Sequence, residues 1–96
     1  QVMAGVIIQT GSTIGINSIV NTGAIIEHHS RIGNHVHICP GVVLSGESFV
    51  DDEAFIGAGS TIIQGIKIGK GALVAAGAVV VNDVPDGARV MGVPAK

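Results

Sequence analysis

Residues 54–80 read Ala54-Phe55-Ile56-Gly57-Ala58-Gly59-Ser60-Thr61-Ile62-Ile63-Gln64-Gly65-Ile66-Lys67-Ile68-Gly69-Lys70-Gly71-Ala72-Leu73-Val74-Ala75-Ala76-Gly77-Ala78-Val79-Val80. From Ile56 onward every sixth residue is a large aliphatic: Ile56, Ile62, Ile68, Val74 and Val80. Extending the same step toward the N-terminus adds Val50, Leu44, Ile38, Ile32, Ile26, Val20, Ile14, Ile8 and Val2 without a miss. Two residues before these positions runs a second series, mostly Ser or Ala: Ser12, Ser18, Ala24, Ser30, Ser48, Ala54, Ser60, Ala72 and Ala78, with Val6, Val36, Val42 and Ile66 between them. Three residues after them glycine recurs, at Gly5, Gly11, Gly23, Gly41, Gly59, Gly65, Gly71 and Gly77. Glycine at a fixed phase marks a corner whose backbone angles exclude a Cβ.

One aliphatic, one small residue and one glycine per six positions is the hexapeptide repeat of a parallel β-helix. Each unit supplies a short strand and a corner, three units make a triangular coil, and coils stack at about 4.8 Å. Units 18 residues apart then align Ile8, Ile26, Leu44, Ile62 and Val80 in one interior column. The expected fold class is all-β, with about four to five triangular coils over residues 1–83. After Val80 the period fails, and Val81-Asn82-Asp83-Val84-Pro85-Asp86-Gly87 reads as a turn-rich exit. Residues 84–96 are expected to form an extended C-terminal tail covering the last coil, where a bare sheet edge would otherwise stand. The first coil has no comparable cap in the sequence, so either a segment preceding Gln1 or another element is expected over that edge.

Composition agrees with this reading. The chain of 96 residues carries 15 Gly, two aromatic residues (Phe49 and Phe55) and 12% charged residues, against about 7% Gly and roughly 25% charge in an average domain. Fourteen Ile and 14 Val against two Leu disfavour a helical bundle, because β-branched side chains suit strands. A hydrophobic content of 47% is enough to build a core and disfavours a disordered chain. So small a domain buries only about 60–70% of its unfolded surface, and its scarce charge points to further burial against other subunits. Five Lys plus Arg against seven Asp plus Glu, with no aromatic platform, argue against nucleic acid as a partner. The longest apolar stretch, Leu73 to Val81, is broken by Gly77 and falls far short of the roughly 20 residues of a membrane span. No secretory signal is visible. Cys39, being alone, fits a reducing compartment and reads as a small buried hydrophobe. Gly69-Lys70 lacks the spacing of a phosphate loop, and Lys67, Lys70 and Arg89 read as solvated charges.

Chemistry must come from polar residues that depart from the repeat, and four histidines do so within ten positions: His28, His29, His35 and His37. His28 and His37 are nine residues apart, half of one coil, so within one subunit they lie on opposite sides of the prism. They meet only across an interface. A threefold assembly makes three such clefts, which predicts a homotrimer with its sites between subunits.

The run Asn21-Thr22-Gly23-Ala24-Ile25-Ile26-Glu27-His28-His29-Ser30-Arg31-Ile32-Gly33, followed by His35-Val36-His37 and Pro40-Gly41, resembles the hexapeptide-repeat sugar acetyltransferases that modify bacterial nucleotide-linked amino sugars or sialic acid. Val84-Pro85 and Gly92-Val93-Pro94-Ala95-Lys96 match the same group's C-terminal ending. The resemblance implies a left-handed β-helix and transfer of acetyl from acetyl-CoA to an amino or hydroxyl group of a sugar or nucleotide sugar, in cytoplasmic polysaccharide biosynthesis. It implies that His28 is the general base, a task suited to a neutral imidazole. It places His37 of the neighbouring subunit, with Gly46, Ala58 and Ala76, along the acetyl-CoA, where a backbone amide stabilises the developing oxyanion. No covalent acyl-enzyme and no metal are expected.

One departure concerns the base itself. The family has an acidic residue directly after the catalytic histidine, and here His29 stands there, while Glu27 keeps the acidic residue before it. Glu27, His28 and His29 are therefore the catalytic candidates. The family also carries an N-terminal Rossmann-like sugar-binding domain, which none of these 96 residues forms. Two other readings use the same coil: a γ-carbonic-anhydrase type of zinc enzyme, with histidines from two subunits on the metal, and a purely structural trimerisation coil with solvated histidines.

Overall fold

The computed structural model describes residues 1–96. Its regular structure consists of fourteen two-residue strands: β1 (Ile7–Ile8), β2 (Thr13–Ile14), β3 (Ile19–Val20), β4 (Ile25–Ile26), β5 (Arg31–Ile32), β6 (His37–Ile38), β7 (Val43–Leu44), β8 (Phe49–Val50), β9 (Phe55–Ile56), β10 (Thr61–Ile62), β11 (Lys67–Ile68), β12 (Leu73–Val74), β13 (Val79–Val80) and β14 (Arg89–Val90). Three parallel sheets form the walls of a prism, in the orders β1-β4-β7-β10-β13, β2-β5-β8-β11 and β3-β6-β9-β12-β14. These are called below the β1, β2 and β3 faces. Partners stand one coil apart, as in Ile26↔Leu44 and Leu44↔Ile62. The prism measures 29 × 20 × 19 Å.

The second residue of each strand points inward and the first outward, the ordinary alternation of a strand. Inside, Ile26, Ile38, Leu44, Ile56, Ile62 and Ile68 are completely buried. Beside them the small residues leave room for the corners, and where they are serine the hydroxyl is satisfied. Ser18 Oγ donates to the Gly33 carbonyl at 2.7 Å and accepts from Val36 N at 3.1 Å, and Ser60 Oγ donates to the Ala75 carbonyl at 2.9 Å. An unpaired hydroxyl at these depths would cost about 1–3 kcal/mol.

The corners turn through a left-handed residue, and this is where glycine had been expected. The structure places five other residues in the same conformation: Asn17 (φ 54°), His29 (φ 56°), His35 (φ 57°), Glu47 (φ 59°) and Glu53 (φ 63°). Together with the eight corner glycines they occupy every sixth position from 5 to 77. Two of the four histidines therefore sit in a backbone region that side chains rarely adopt.

Beyond Val80 the coil does not end where the period does. It shortens by two residues and continues. Val84, buried, bridges to Ile68, and Arg89–Val90 joins the β3 face opposite Leu73–Val74. A side chain supplies what the shortened corner lacks: Lys67 N donates to Asp83 Oδ1 at 2.9 Å instead of to a carbonyl. Asp86 Oδ1 accepts from Lys70 N at 2.9 Å, continuing the ladder in which Asn34 Oδ1 and Asp52 Oδ1 accept from Ile16 N and Asn34 N one coil below each. Residues 91–96 then fold back on the top coil, with Ala95 N donating to the Val79 carbonyl at 2.8 Å and Met91 and Lys96 exchanging backbone hydrogen bonds at 3.3 and 3.1 Å. At the opposite end the interior positions Val2 and Ile8 are 52% and 40% exposed.

Candidate active site

Glu27, His28 and His29 form the turn that leaves β4 on the β1 face and leads to β5 on the β2 face. His28 and His29 are exposed. Their rings meet edge to face, 5.5 Å between centroids and 77° between planes, with Nδ1 of one 3.3 Å from Nδ1 of the other. From that contact the rings extend in opposite directions along the prism. His28 reaches up over Gly46, so closely that a Cβ there would lie 2.6 Å from Nε2. His29 reaches down over Gly11, where a Cβ would lie 2.7 Å from its Nε2. Each imidazole thus occupies a clearing that a glycine leaves in the next coil. Glu47 stands one coil above His29, and its Oε1 accepts a hydrogen bond from Gln64 Nε2 at 3.2 Å. The protein's one ion pair, Lys70 with Glu53 at 3.9 Å, belongs to another corner. Neither imidazole has a carboxylate partner.

His37 lies elsewhere. It is the outward residue of β6 on the β3 face, stacked between Ile19 and Phe55. Its ring packs edge-on to Phe55, 5.2 Å between centroids, and its Nε2 is buried without a hydrogen-bond partner. Ala58 and Ala76 are exposed at the corner between the β3 and β1 faces, one coil apart. Beside them Gly57 is buried, and a Cβ there would strike Ala76 N at 2.5 Å, so the backbones of the two coils approach closely at this corner. Of the residues singled out in the sequence, Glu27, His28, His29 and Gly46 share one corner. His37, Ala58 and Ala76 form a second group on the far side. His35 is exposed at the remaining corner.

Cys39 is buried, and that burial pushes its thiol above the usual 9.0. Burial thus favours the thiol over the thiolate, the form that reacts. Within one chain no three His, Cys, Asp or Glu side chains converge on a point that could hold a metal ion. No helix is long and apolar enough to cross a membrane.

Sequence reading missed the contact between the two imidazoles and the structural role of Gly46. The signal for the second was present, because residues 28 and 46 are one coil apart. Nothing in a one-dimensional pattern reports which way two adjacent rings turn.

The geometry defines a hexapeptide-repeat β-helix with an imidazole pair at an open corner. Residues 50–81 match the family described as the hexapeptide repeat of succinyl-transferase. Among solved structures, the neighbours sharing this left-handed β-helix include sugar N-acetyltransferases. The acetyltransferase domain of PglB from Neisseria gonorrhoeae, also solved with acetyl coenzyme A, is 43% identical, with a TM-score of 0.98 over 99% of this chain and 46% of that one. A histidine-to-alanine mutant of GDP-perosamine N-acetyltransferase from Caulobacter crescentus, in complex with CoA and GDP-perosamine, is 45% identical, with a TM-score of 0.97 over 98% of this chain and 45% of that one. The soybean serine acetyltransferase apoenzyme is 38% identical, with a TM-score of 0.85 over 90% of this chain and 40% of that one. The chain thus spans less than half the length of these three neighbours. Among curated protein sequences none matches.

Proposed function

We propose that this chain is the acetyl-CoA-binding and catalytic β-helix of a sugar acetyltransferase, with His28 as the general base. One observation carries the reading. On a scaffold nearly superimposable on two sugar N-acetyltransferases, an exposed imidazole is held with its Nε2 over the clearing at Gly46. The acceptor is an amino or hydroxyl group of a nucleotide-linked sugar, as the complex with CoA and GDP-perosamine suggests. Its nitrogen or oxygen attacks the thioester carbonyl carbon while His28 Nε2 takes the departing proton. A backbone amide beside the cleft holds the oxyanion, the C–S bond then breaks, and the same proton passes to the coenzyme A sulfur. The products are the acetylated sugar and coenzyme A, with no acyl-enzyme. The dependence on acetyl-CoA, a metabolite of the cell interior, supports a cytoplasmic place for the reaction.

The site is shared between subunits of a homotrimer. His28 and Gly46 stand at the corner of the β1 and β2 faces, His37 on the β3 face, Ala58 and Ala76 at the corner of the β3 and β1 faces. A single groove touches all of them when the β2 face of one subunit meets the β3 face of the next. The outward residues of those two faces include Phe49 and Phe55, 36% and 40% exposed, and this aromatic surface suits an interface between subunits. His37 of the neighbouring subunit then lines the acetyl-CoA groove.

The test is coenzyme A release from acetyl-CoA with a nucleotide-linked amino sugar as acceptor. His28→Ala should lower kcat by about 100-fold or more, the scale of a lost general base, with the thermal midpoint unchanged. Equal turnover by the variant would sink the assignment.

A further inference from the structure

We infer that His29 is a positioning residue: its neutral imidazole accepts a hydrogen bond from His28 Nδ1–H and so holds His28 in the tautomer whose Nε2 is free to take a proton. The inference rests on the reading of His28 as the base.

Three observations lead there. The two Nδ1 atoms face each other at 3.3 Å, and one of them must donate while the other accepts. His29 holds the left-handed corner position with a φ of 56°, as Asn17, His35, Glu47 and Glu53 do at their corners, and this turn sets its ring beside that of His28. The clearings at Gly11 and Gly46 draw the rings apart along the prism, so that the contact between them is made by Nδ1 while each Nε2 lies toward a glycine.

The charged groups around the pair leave the imidazoles to each other. Glu27 belongs to the same turn, and Arg31 is the outward residue of β5. The Glu47 carboxylate, one coil up, is engaged by Gln64, and the coil below offers only Gln9, Thr10 and Gly11. No carboxylate is in ion-pair contact with either ring. With its own proton on Nε2, His29 presents a lone pair at Nδ1. That fixes the proton of His28 on Nδ1, leaving Nε2 as the acceptor for the proton of the attacking amine or hydroxyl. During the reaction His29 gains no proton. It accepts the same hydrogen bond throughout, now from an imidazolium, until His28 passes its Nε2 proton to the coenzyme A sulfur.

Nitrogen-15 NMR of the histidine-labelled protein, at a pH where both imidazoles are neutral, reads the tautomer without turnover. His28 should be the Nδ1–H form in the wild type, shift toward the Nε2–H form in His29→Ala and return to Nδ1–H in His29→Asp, whose carboxylate accepts in the same place. In parallel, kcat should fall about tenfold or more in His29→Ala and recover in His29→Asp, with KM for acetyl-CoA within about twofold in both. A His28 tautomer that is the same with and without the His29 ring overturns the inference, and so does a shifted tautomer with unchanged kcat. Failure of the base assignment is a separate result, read from His28→Ala.

Discussion

A methyl group at residue 46 would press on His28 Nε2 at 2.6 Å, whereas one at Gly71 would meet nothing within 4 Å but would have to hold a φ of +66°. The two substitutions should therefore separate activity from stability. Gly46 lies outside the left-handed region, so Gly46→Ala should leave the thermal midpoint near that of the wild type while displacing the imidazole. A displacement of about 1 Å can cost on the order of 100-fold in rate. Gly71→Ala should do the reverse, losing about 1–3 kcal/mol in a denaturation curve to backbone strain with kcat unchanged. How far such effects were legible in the sequence differs from residue to residue. The phase of His29 is that of Gly11 and Gly65, so its left-handed turn was there to be counted. The place of Gly46 one coil above His28 follows from the 18-residue stacking, so the clearing it leaves could be counted in the sequence. The facing Nδ1 atoms were not legible, since two side-chain torsions on adjacent residues are settled only when the clearings above and below exist in space.

At the scale of the strand and corner, the coil is specified redundantly, and its hydrophobic register is what a sequence displays best. Leu44, wholly buried between Ile26 and Ile62 of its column, has no neighbour free to fill a void. Leu44→Ala should cost about 2–5 kcal/mol in urea-induced unfolding, with a proportionate fall in acetyl transfer only as the folded fraction falls. The end of the repeat was read less well. A two-residue deletion destroys a six-residue period on paper, so the pattern looks finished at Val80. In space the ladder tolerates the loss, because Asp83 supplies an oxygen at the place of a missing carbonyl and Val84 resumes the interior column beside Ile68. Side-chain mimicry of a backbone acceptor leaves only an Asp in a turn-rich segment as its trace, a signal indistinguishable from an ordinary turn.

For the whole molecule, the division of the candidate residues between two sides of the prism makes a strong demand on assembly. If His28 acts with His37 of a neighbour, His28→Ala and His37→Ala proteins should each be nearly inactive alone, while mixed and reassembled they should regain activity. Each mixed trimer then contains one cleft with both histidines, so random mixing should restore about a quarter of the wild-type rate. No recovery, with mixed trimers verified by mass, would place both residues in one subunit's chemistry or in none. The nine-residue spacing of His28 and His37 was legible in the sequence, whereas the assignment of Phe49 to the β2 face and Phe55 to the β3 face took the fold.

The folded-back residues 91–96 have a bearing on the molecule's polarity. A stack of identical parallel rungs has no intrinsic stopping point, and each finished rung is a template for another, the condition that lets cross-β polymers elongate. Here Met91 and Lys96 bond to each other and Ala95 takes up the carbonyl of Val79, consuming groups that a further rung would need. On the β1 wall the chain thus acts as its own chain terminator in the polymer chemist's sense, because residues 92–95 occupy the backbone groups of Val79 that the next rung would use.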